Sequence, residues 1–304
     1  MIDFLREEGI SGSLLDEAAR FAARYGIDAG CADRIPVPRF HYFGREVWEE
    51  AITAVLAGCH LLLSGSKATG KNVLAENLAA LFGRPIYEVS FHINTDAASL
   101  LGSDTYGEGR VYLRKGPVYQ CAEAGGFGVL DEINMAKNES LAVLHAILDY
   151  RRVIDMPGYS RIHLHEATRF IGTMNYGYAG TRDLNEALTS RFVVIDMPQL
   201  DGDGLARLFR QEFPELDPRW AEQLAAFFEE LQTKCTGGEI STRSLDLRGM
   251  LSAIALMKQG LDDFSALKMG LANKCFDDYE KQLVLDVAAS RFPKEISSSE
   301  VFSR

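Results

Sequence analysis

The feature that most limits how this chain can fold is a glycine-bracketed turn between an apolar segment and a helical one. The turn reads Gly65-Ser66-Lys67-Ala68-Thr69-Gly70-Lys71-Asn72 and fits the pattern GxxxxGK. Residues His60–Ser64 before it predict a buried strand, and residues Lys71–Phe82 after it predict a helix. In that context the backbone N–H groups of the turn and of the helix N-terminus can surround phosphate groups. A plain glycine turn with a chance lysine explains this context poorly.

The turn therefore predicts a nucleotide phosphate site, in which Lys71 supplies a positive charge for the β- and γ-phosphates. Asn72 departs from the usual pattern, where Ser or Thr provides a hydroxyl ligand for Mg²⁺. Because an amide oxygen also binds hard cations, Asn72 either holds the metal, directly or through water, or marks weak or absent hydrolysis. The candidate nucleotide-binding residues are Gly65, Ser66, Lys67, Ala68, Thr69, Gly70, Lys71, Asn72 and Val73.

A second candidate feature is an apolar segment, Phe127–Leu130, that ends in two acidic residues, Asp131 and Glu132. In parallel sheets ligands bind at the carboxyl ends of the strands, so these acids are expected to face the phosphate loop. We expect Asp131 to hold Mg²⁺ and Glu132 to polarise an attacking water. The alternative is a strand end followed by a solvated acidic turn.

The chain divides into three predicted regions by its residue patterns. Residues 1–38 predict a helical extension that ends in Ile35-Pro36-Val37-Pro38, a run that favours an extended linker. Residues 39–200 alternate short apolar strands with helices, which predicts an αβα sandwich around a parallel sheet. Residues 201–304 contain helical patterns without a convincing strand and predict a small all-α lid domain, with one helix expected over Arg243–Gln259.

Composition narrows the possible partners and the location. The net charge of −11 argues against a nucleic-acid or anionic-membrane binder. No apolar run has the length of a membrane span, and the acidic N-terminus does not fit a signal peptide, so we expect a cytoplasmic protein. Five cysteines without a CxxC pair argue against a zinc site. His163 and His165 fit one face of a solvated strand better than a metal site.

Several segments, taken in their order along the chain, resemble those of the AAA+ ATPases. They are similar to the MoxR-like branch in particular, including its CbbQ/NorQ relatives and the dynein-related ATPase domain. The resemblance covers roughly residues 40–255 and includes the phosphate loop and the acidic strand end Val129-Leu130-Asp131-Glu132-Ile133-Asn134. Two hairpins also resemble those of the family, the first around Gly109–Val118 and the second from Arg152 to Leu164.

The resemblance implies roles for three further residues. Asn175, at the end of Gly172-Thr173-Met174-Asn175, matches the family's sensor 1 and would orient the water. Arg191, in Leu184–Phe192, matches an arginine finger that acts on the neighbouring subunit's nucleotide. An arginine before a strand also commonly forms only a surface ion pair. Arg243, at the expected start of a helix capped by Ser241 or Thr242, resembles sensor 2, with Arg248 as the alternative.

The resemblance also implies a hexameric ring with ATP and Mg²⁺ bound between subunits. It implies remodelling of a protein client, often through a partner with a von Willebrand A domain. Tyr112, Arg114 and Lys115 are candidate client contacts, although ordinary solvent-exposed hairpin residues are an equal alternative. A non-hydrolysing nucleotide switch, suggested by Asn72, and a nucleic-acid motor, opposed by the acidic charge, are the other hypotheses.

Overall fold

The computed structural model describes residues 1–107, 109–175, 183–292 and 301–302. These residues form two compact units. The first comprises Met1–Ser66 and Gly70–Met197, and the second comprises Lys67–Thr69 and Pro198–Arg304. The expected boundaries at residues 38 and 200 stay predictions, and each unit is described by itself.

The first unit combines helices with a parallel sheet and two short antiparallel hairpins. Its helices are α1 Ile2–Glu7, α2 Gly12–Arg24, α3 Arg45–Leu56, α4 Lys71–Leu81, α5 Ala97–Leu101, α6 Pro117–Ala124, α7 Asn138–Leu141, α8 His145–Leu148 and α9 Glu186–Thr189. Its strands are β1 His60–Gly65, β2 Ile86–Ser90, β3 Gly102–Gly107, β4 Arg110–Lys115, β5 Phe127–Asp131, β6 Val153–Ile154, β7 Ile162–His163, β8 Arg169–Asn175 and β9 Phe192–Asp196.

Five of these strands form the sheet, in the order β2-β5-β8-β1-β9, and all neighbouring pairs are parallel. Successive side chains alternate between its faces. Leu61 and Leu63 pack into one apolar cluster, with the buried residues of α1 to α4, whereas Leu62 packs into another with residues of α5, α6 and α8. Helices therefore cover both faces, which confirms the predicted αβα sandwich with a parallel sheet.

The N-terminal helices belong to the core of this unit. Leu5 and Phe21 lie in the same apolar cluster as Trp48. The fully buried guanidinium of Arg84 donates hydrogen bonds to the carbonyl oxygens of Tyr25 at 2.6 Å and Gly125 at 2.7 Å. Since buried carbonyl groups need donors, this arginine ties the segment after α2 to the sandwich.

In the part of the second unit that the structure describes, the regular elements are helices, apart from a single β-bridge between Leu216 and Phe302, in agreement with the predicted all-α domain. Its helices are α10 Gly202–Glu212, α11 Pro218–Thr236, α12 Leu247–Lys258, α13 Asp263–Gly270 and α14 Asp278–Arg291. Buried side chains from all five helices meet in one apolar cluster, which includes Phe209, Phe227, Met250, Leu267 and Val287.

The start of α12 corrects a prediction. We expected a helix from Arg243 capped by Ser241 or Thr242, but α12 begins at Leu247 and its N-cap is Asp246, whose side chain accepts from the Arg248 amide. Ser241 instead donates from its amide and its hydroxyl to the carboxylate of Glu280, both at 2.9 Å. That interaction holds Ser241 outside the helix.

Two further features of the first unit differ from the sequence analysis. Strand β2 was not predicted. His163 ends β7, so His165 lies beyond the strand, where its Nδ1 accepts from the Ala167 amide at 3.1 Å.

Among the residues that the structure describes, no helix has both the length and the apolar character needed to cross a membrane.

Candidate active site

The phosphate loop joins the end of β1 to the start of α4. Gly65 ends the buried strand, and Lys71 is the first residue of the helix. Ala68 and Gly70 both have left-handed backbone conformations, with φ of 66° and 80°. Gly70 is also the N-cap of α4 and offers no side chain to cap it. Backbone N–H groups at such a helix start favour anions, so the local geometry suits a phosphate group.

The Lys71 side chain folds back into this loop. Its Nζ donates to the carbonyl oxygens of Gly65 at 3.1 Å and of Ser66 at 2.6 Å. Burial lowers the pKa of Lys71 to about 8, and the nearby carboxylates of Asp131 and Glu132 oppose that shift. The structure thus places the predicted phosphate lysine close enough to the two predicted acids for their charges to interact.

Tyr42 explains why the loop needs glycine at position 70. A Cβ atom on Gly70 would lie 3.0 Å from Cδ2 of the Tyr42 ring, which is itself buried. Two hydrogen bonds fix the Tyr42 backbone: its amide donates to Asn77 Oδ1 at 3.1 Å, and its carbonyl accepts from Trp48 Nε1 at 2.8 Å. Sequence reasoning missed Tyr42, because nothing in the residue pattern connects it to a loop 28 positions away.

The two acids follow one another at the end of β5 but differ in backbone. Asp131 is the last residue of the strand, whereas Glu132 is left-handed, with φ of 54° and ψ of 44°. The hydroxyl of Thr173 lies between them: it donates to Asp131 Oδ1 at 2.6 Å and accepts from the Glu132 amide at 3.0 Å. Thr173 was not among the predicted site residues.

Asn175 connects the acids to the loop. It is the last residue of β8, and its Cα pairs in register with that of Gly65 at the end of β1. Its Nδ2 donates to Glu132 Oε1 at 3.2 Å, and its carbonyl accepts from Asn134 Nδ2 at 3.0 Å. The ends of β1, β5 and β8 therefore bring Lys71, Glu132 and Asn175 to one edge of the sheet.

Comparison with known proteins agrees with this geometry. Residues 60–192, which span the loop, the acids and Asn175, match the family model for the AAA domain of the dynein-related subfamily. The uncharacterised protein YojN of Bacillus subtilis is 32% identical over 80% of this chain and 81% of its own length. The chain belongs to the AAA+ ATPase family.

Two further similarities accompany this assignment. An uncharacterised protein of Staphylococcus saprophyticus is 32% identical, covering 83% of this chain and 98% of that protein. A solved structure of a RuvB variant from Thermogota maritima is 17% identical, with a TM-score of 0.47 over 78% of this chain and 72% of that one, a similarity too weak to inform function.

The oxygen atoms at this AAA+ site fit a magnesium ion that is shared with a nucleotide. Asp131 offers a carboxylate, and exposed Asn72, the second residue of α4, offers an amide oxygen. No group of three or more His, Cys, Asp or Glu residues in the described ranges could hold a metal by itself. Mg²⁺ characteristically binds through one or two carboxylates together with phosphate oxygens and waters, so the residues present fit it.

The candidate arginine finger, Arg191, is held by contacts within its own chain. It follows α9, is partly buried, and its Nε donates to the His145 carbonyl at 3.1 Å. One guanidinium nitrogen lies 3.6 Å from Asp149 Oδ2. Within the described residues, none of these contacts reaches the phosphate loop, so the geometry of one subunit leaves the predicted action on a neighbour as a prediction.

Arg243, the candidate sensor 2 residue of the AAA+ pattern, lies before α12. Its guanidinium stacks over the Phe276 ring at 4.4 Å from the centroid. Arg248, the alternative candidate, is the second residue of α12. The reason for preferring Arg243, its place at a helix start, was therefore wrong, and the choice between the two arginines rests on the family resemblance alone.

Proposed function

We propose that this protein binds ATP with Mg²⁺ at the loop Gly65–Val73 and hydrolyses it. The observation that carries the proposal is the hydrogen bond from Asn175 Nδ2 to Glu132 Oε1, 3.2 Å long, beside a lysine-bearing phosphate loop. A carboxylate held by a neutral amide can accept a proton from water, and the same amide can orient that water. Family membership gives the chain the appropriate fold.

Each residue has a separate task in this proposal. The loop backbone and Lys71 bind the phosphates, while Asp131 and Asn72 bind the metal. Magnesium would neutralise charge that builds up on the phosphate oxygens. Glu132 accepts the proton of the attacking water, and Asn175 keeps the Glu132 carboxylate directed towards that water. Arg243, or Arg248 in its place, would contact the γ-phosphate.

The arginine finger makes hydrolysis depend on assembly. Arg191 would reach the nucleotide of a neighbouring subunit in a ring, which we propose to be a hexamer. Its present partners are the carbonyl oxygens of His145 and Ala187 and the Asp149 carboxylate. A partly buried ion pair of this kind must open before the guanidinium can stabilise a phosphoryl group, so ring formation and activation would be coupled.

We further propose that the MoxR-like resemblance extends to the task, which is ATP-driven remodelling or activation of a protein client. A partner with a von Willebrand A domain would accompany it. The β3–β4 hairpin supports a contact role, because Tyr106 is 74% exposed and Val111 is 61% exposed. Tyr112, Arg114 and Lys115 lie on the same hairpin, where loops and hairpins commonly carry recognition.

A nucleotide-dependent switch without hydrolysis is the second candidate, and Asn72 favours it. An exposed amide stands where a hydroxyl ligand is usual, so metal binding could be too weak for turnover. Asn72→Thr separates the two functions. If Asn72 limits hydrolysis, the Thr variant will raise turnover by about tenfold or more; if Asn72 is an adequate ligand, turnover will stay near that of the parent.

ATP turnover measured across a protein dilution series tests the proposed function. We expect turnover per subunit to rise over the concentrations at which sedimentation shows ring assembly, because each site needs a neighbour's Arg191. Lys71→Ala should abolish ATP binding. Lys268→Ala, at an exposed position on α13 in the helical unit, is a matched control that should bind ATP normally. Rings that bind ATP without turnover would contradict hydrolysis and favour the switch.

A further inference from the structure

Thr173 occupies a central position between the functional strand ends. It lies on β8, two residues before Asn175, and is 1% exposed. Because side chains two apart on a strand point to the same face, Thr173 and Asn175 share a face of the sheet. In the sheet β8 lies between β5, which ends in Asp131, and β1, which leads to the phosphate loop.

The hydrogen bonds of Thr173 fix the direction of its hydroxyl proton. The Glu132 amide can only donate, so Thr173 Oγ1 accepts that bond at 3.0 Å. Ionised Asp131 can only accept, so the single hydroxyl proton points to Asp131 Oδ1 at 2.6 Å. Among the described residues no other donor reaches the Asp131 carboxylate, which leaves Oδ2 available for a cation.

The second bond supports an unfavourable backbone. Glu132 is a non-glycine residue at φ 54°. Residues with a side chain seldom adopt this backbone conformation, and it persists only where neighbouring groups enforce it. The bond from its amide to Thr173 is one such constraint, and the bond from the Met135 amide to its carbonyl, at 2.8 Å, is another. The left-handed turn sets the direction in which the Glu132 side chain leaves the strand.

We propose that Thr173 is a positioning residue that sets the Asp131 carboxylate for the metal and the Glu132 backbone for the proton acceptor. This inference rests on the proposed ATP and Mg²⁺ binding of the same site. Thr173 would touch neither nucleotide nor metal. Its hydroxyl bonds to the Asp131 carboxylate and to the Glu132 amide, so removing the hydroxyl frees both groups at once. Removing a residue that orients a metal ligand weakens a metal site in the same way.

Thr168 provides the matched control. It is fully buried immediately before β8, and its hydroxyl lies within hydrogen-bond distance of the carbonyl oxygens of Cys121 at 3.4 Å and Ala122 at 3.3 Å. The hydrogen bonds of its hydroxyl go to backbone groups of α6 and to none of the residues of the candidate site. A Thr→Val change at either position removes one buried hydroxyl from the same part of the chain, but only Thr173 bridges the acids.

The experiment compares Thr173→Val, Thr173→Ser and Thr168→Val in the full chain. ATP affinity is measured in saturating Mg²⁺ and in EDTA, and thermal unfolding monitors folding. We expect Thr173→Val to lose about tenfold or more of the affinity that Mg²⁺ adds, and a similar factor in turnover, with little change in EDTA. Thr173→Ser keeps the hydroxyl and should remain close to the parent, as should Thr168→Val. Thr173→Ala replaces the Val variant if that protein does not fold.

Two results with the variants would overturn the inference: a Mg²⁺ effect in Thr173→Val equal to that in Thr168→Val, or a Thr173→Ser variant as impaired as Thr173→Val. A parent protein whose ATP affinity does not respond to Mg²⁺ would also overturn it. A parent that binds ATP with Mg²⁺ but shows no turnover contradicts the proposed hydrolysis only, because the binding measurement still decides whether Thr173 positions Asp131.

Discussion

Asn175 donates a hydrogen bond to Glu132 across two strand ends, with 3.2 Å between Nδ2 and Oε1. Glu132 itself is exposed, so this bond, together with the left-handed turn at its backbone, restricts where the carboxylate can lie. An acceptor for a water proton is effective only when it is held at a defined place. The hydrogen bond between Asn175 and Glu132 therefore holds the proton acceptor at a defined place in the site.

Asn175→Ala should lower ATP turnover by about a hundredfold while leaving ATP affinity nearly unchanged, since the amide orients the base and the water rather than the phosphates. Steady-state turnover and equilibrium binding of a fluorescent ATP analogue measure the two effects separately. Asn138→Ala, on the exposed face of α7, is the control and should keep both values. A large loss of affinity in Asn175→Ala would show that this residue binds nucleotide instead.

Mixing two inactive variants tests whether Arg191 acts on a neighbour. Arg191→Ala leaves its own site intact apart from the finger, and Glu132→Gln still carries the finger. If Arg191 acts in trans, mixed rings contain sites with Glu132 from one subunit and Arg191 from the next, so part of the turnover returns. No recovery in rings shown to be mixed would contradict a trans role and favour the ion pair with Asp149 as the function of Arg191.

The lowered pKa of Lys71 predicts proton uptake on ATP binding. Without nucleotide this pKa is about 8, and nearby phosphates favour the charged ammonium, so it rises in the complex. Below pH 8 the lysine is charged in both states and contributes no pH dependence. As pH rises through 8, ATP affinity should fall, by up to about tenfold per pH unit. Calorimetry near pH 9 in buffers of different ionisation enthalpy measures the uptake.

Lys71→Arg is the control for that experiment, because a guanidinium stays charged throughout this range. Any binding that the Arg variant retains should be independent of pH in the same window. Proton uptake that persists in Lys71→Arg would assign the titration to another group.

His60 predicts a loss of stability in acid. It is buried at the start of β1, and its Nδ1 accepts from the Phe170 amide at 2.9 Å. Burial, together with the charges of Arg152 and Arg169, lowers its pKa to about 3. Because the unfolded chain binds this proton near pH 6.5, the stabilising contribution is complete above 6.5 and is lost as pH falls towards 3. The slope is at most about 1.4 kcal/mol per pH unit.

Chemical denaturation between pH 7 and 5 measures this slope, with His60→Asn as the control. Asn keeps an acceptor near the Phe170 amide but does not titrate. The free energy of unfolding of the parent should fall more steeply than that of the variant. Equal slopes would mean that His60 is charged in the folded protein or that other groups dominate.

The parts of this molecule that the sequence predicted are those with local signals. The strand before Gly65, helix α4 and the strand ending in Asp131 have apolar runs or fixed spacing that do not need the rest of the fold. Strand β2 was missed because it lies at an edge of the sheet, and its residues Ile86–Ser90 include an exposed glutamate and an exposed serine in place of an apolar run.

The parts that were missed depend on long-range packing. Tyr42 packs against Gly70, and Thr173 bridges Asp131 and Glu132, but each lies tens of residues from its partner. The start of α12 was misplaced because Ser241 resembles an N-cap, while its hydroxyl is in fact bonded to Glu280. A capping residue is recognisable only when no distant group competes for its side chain.

The measurement that tests the account most directly is phosphate release from ATP by the parent protein and by Glu132→Gln at a concentration that forms rings. Glu139→Gln, an equal charge change at an exposed position on α7, is the control. We predict Mg²⁺-dependent release by the parent and by Glu139→Gln, and at least about a hundredfold less by Glu132→Gln, with equal ATP affinity in all three. Release at the same rate in Glu132→Gln, or none in the parent, would contradict hydrolysis at this site.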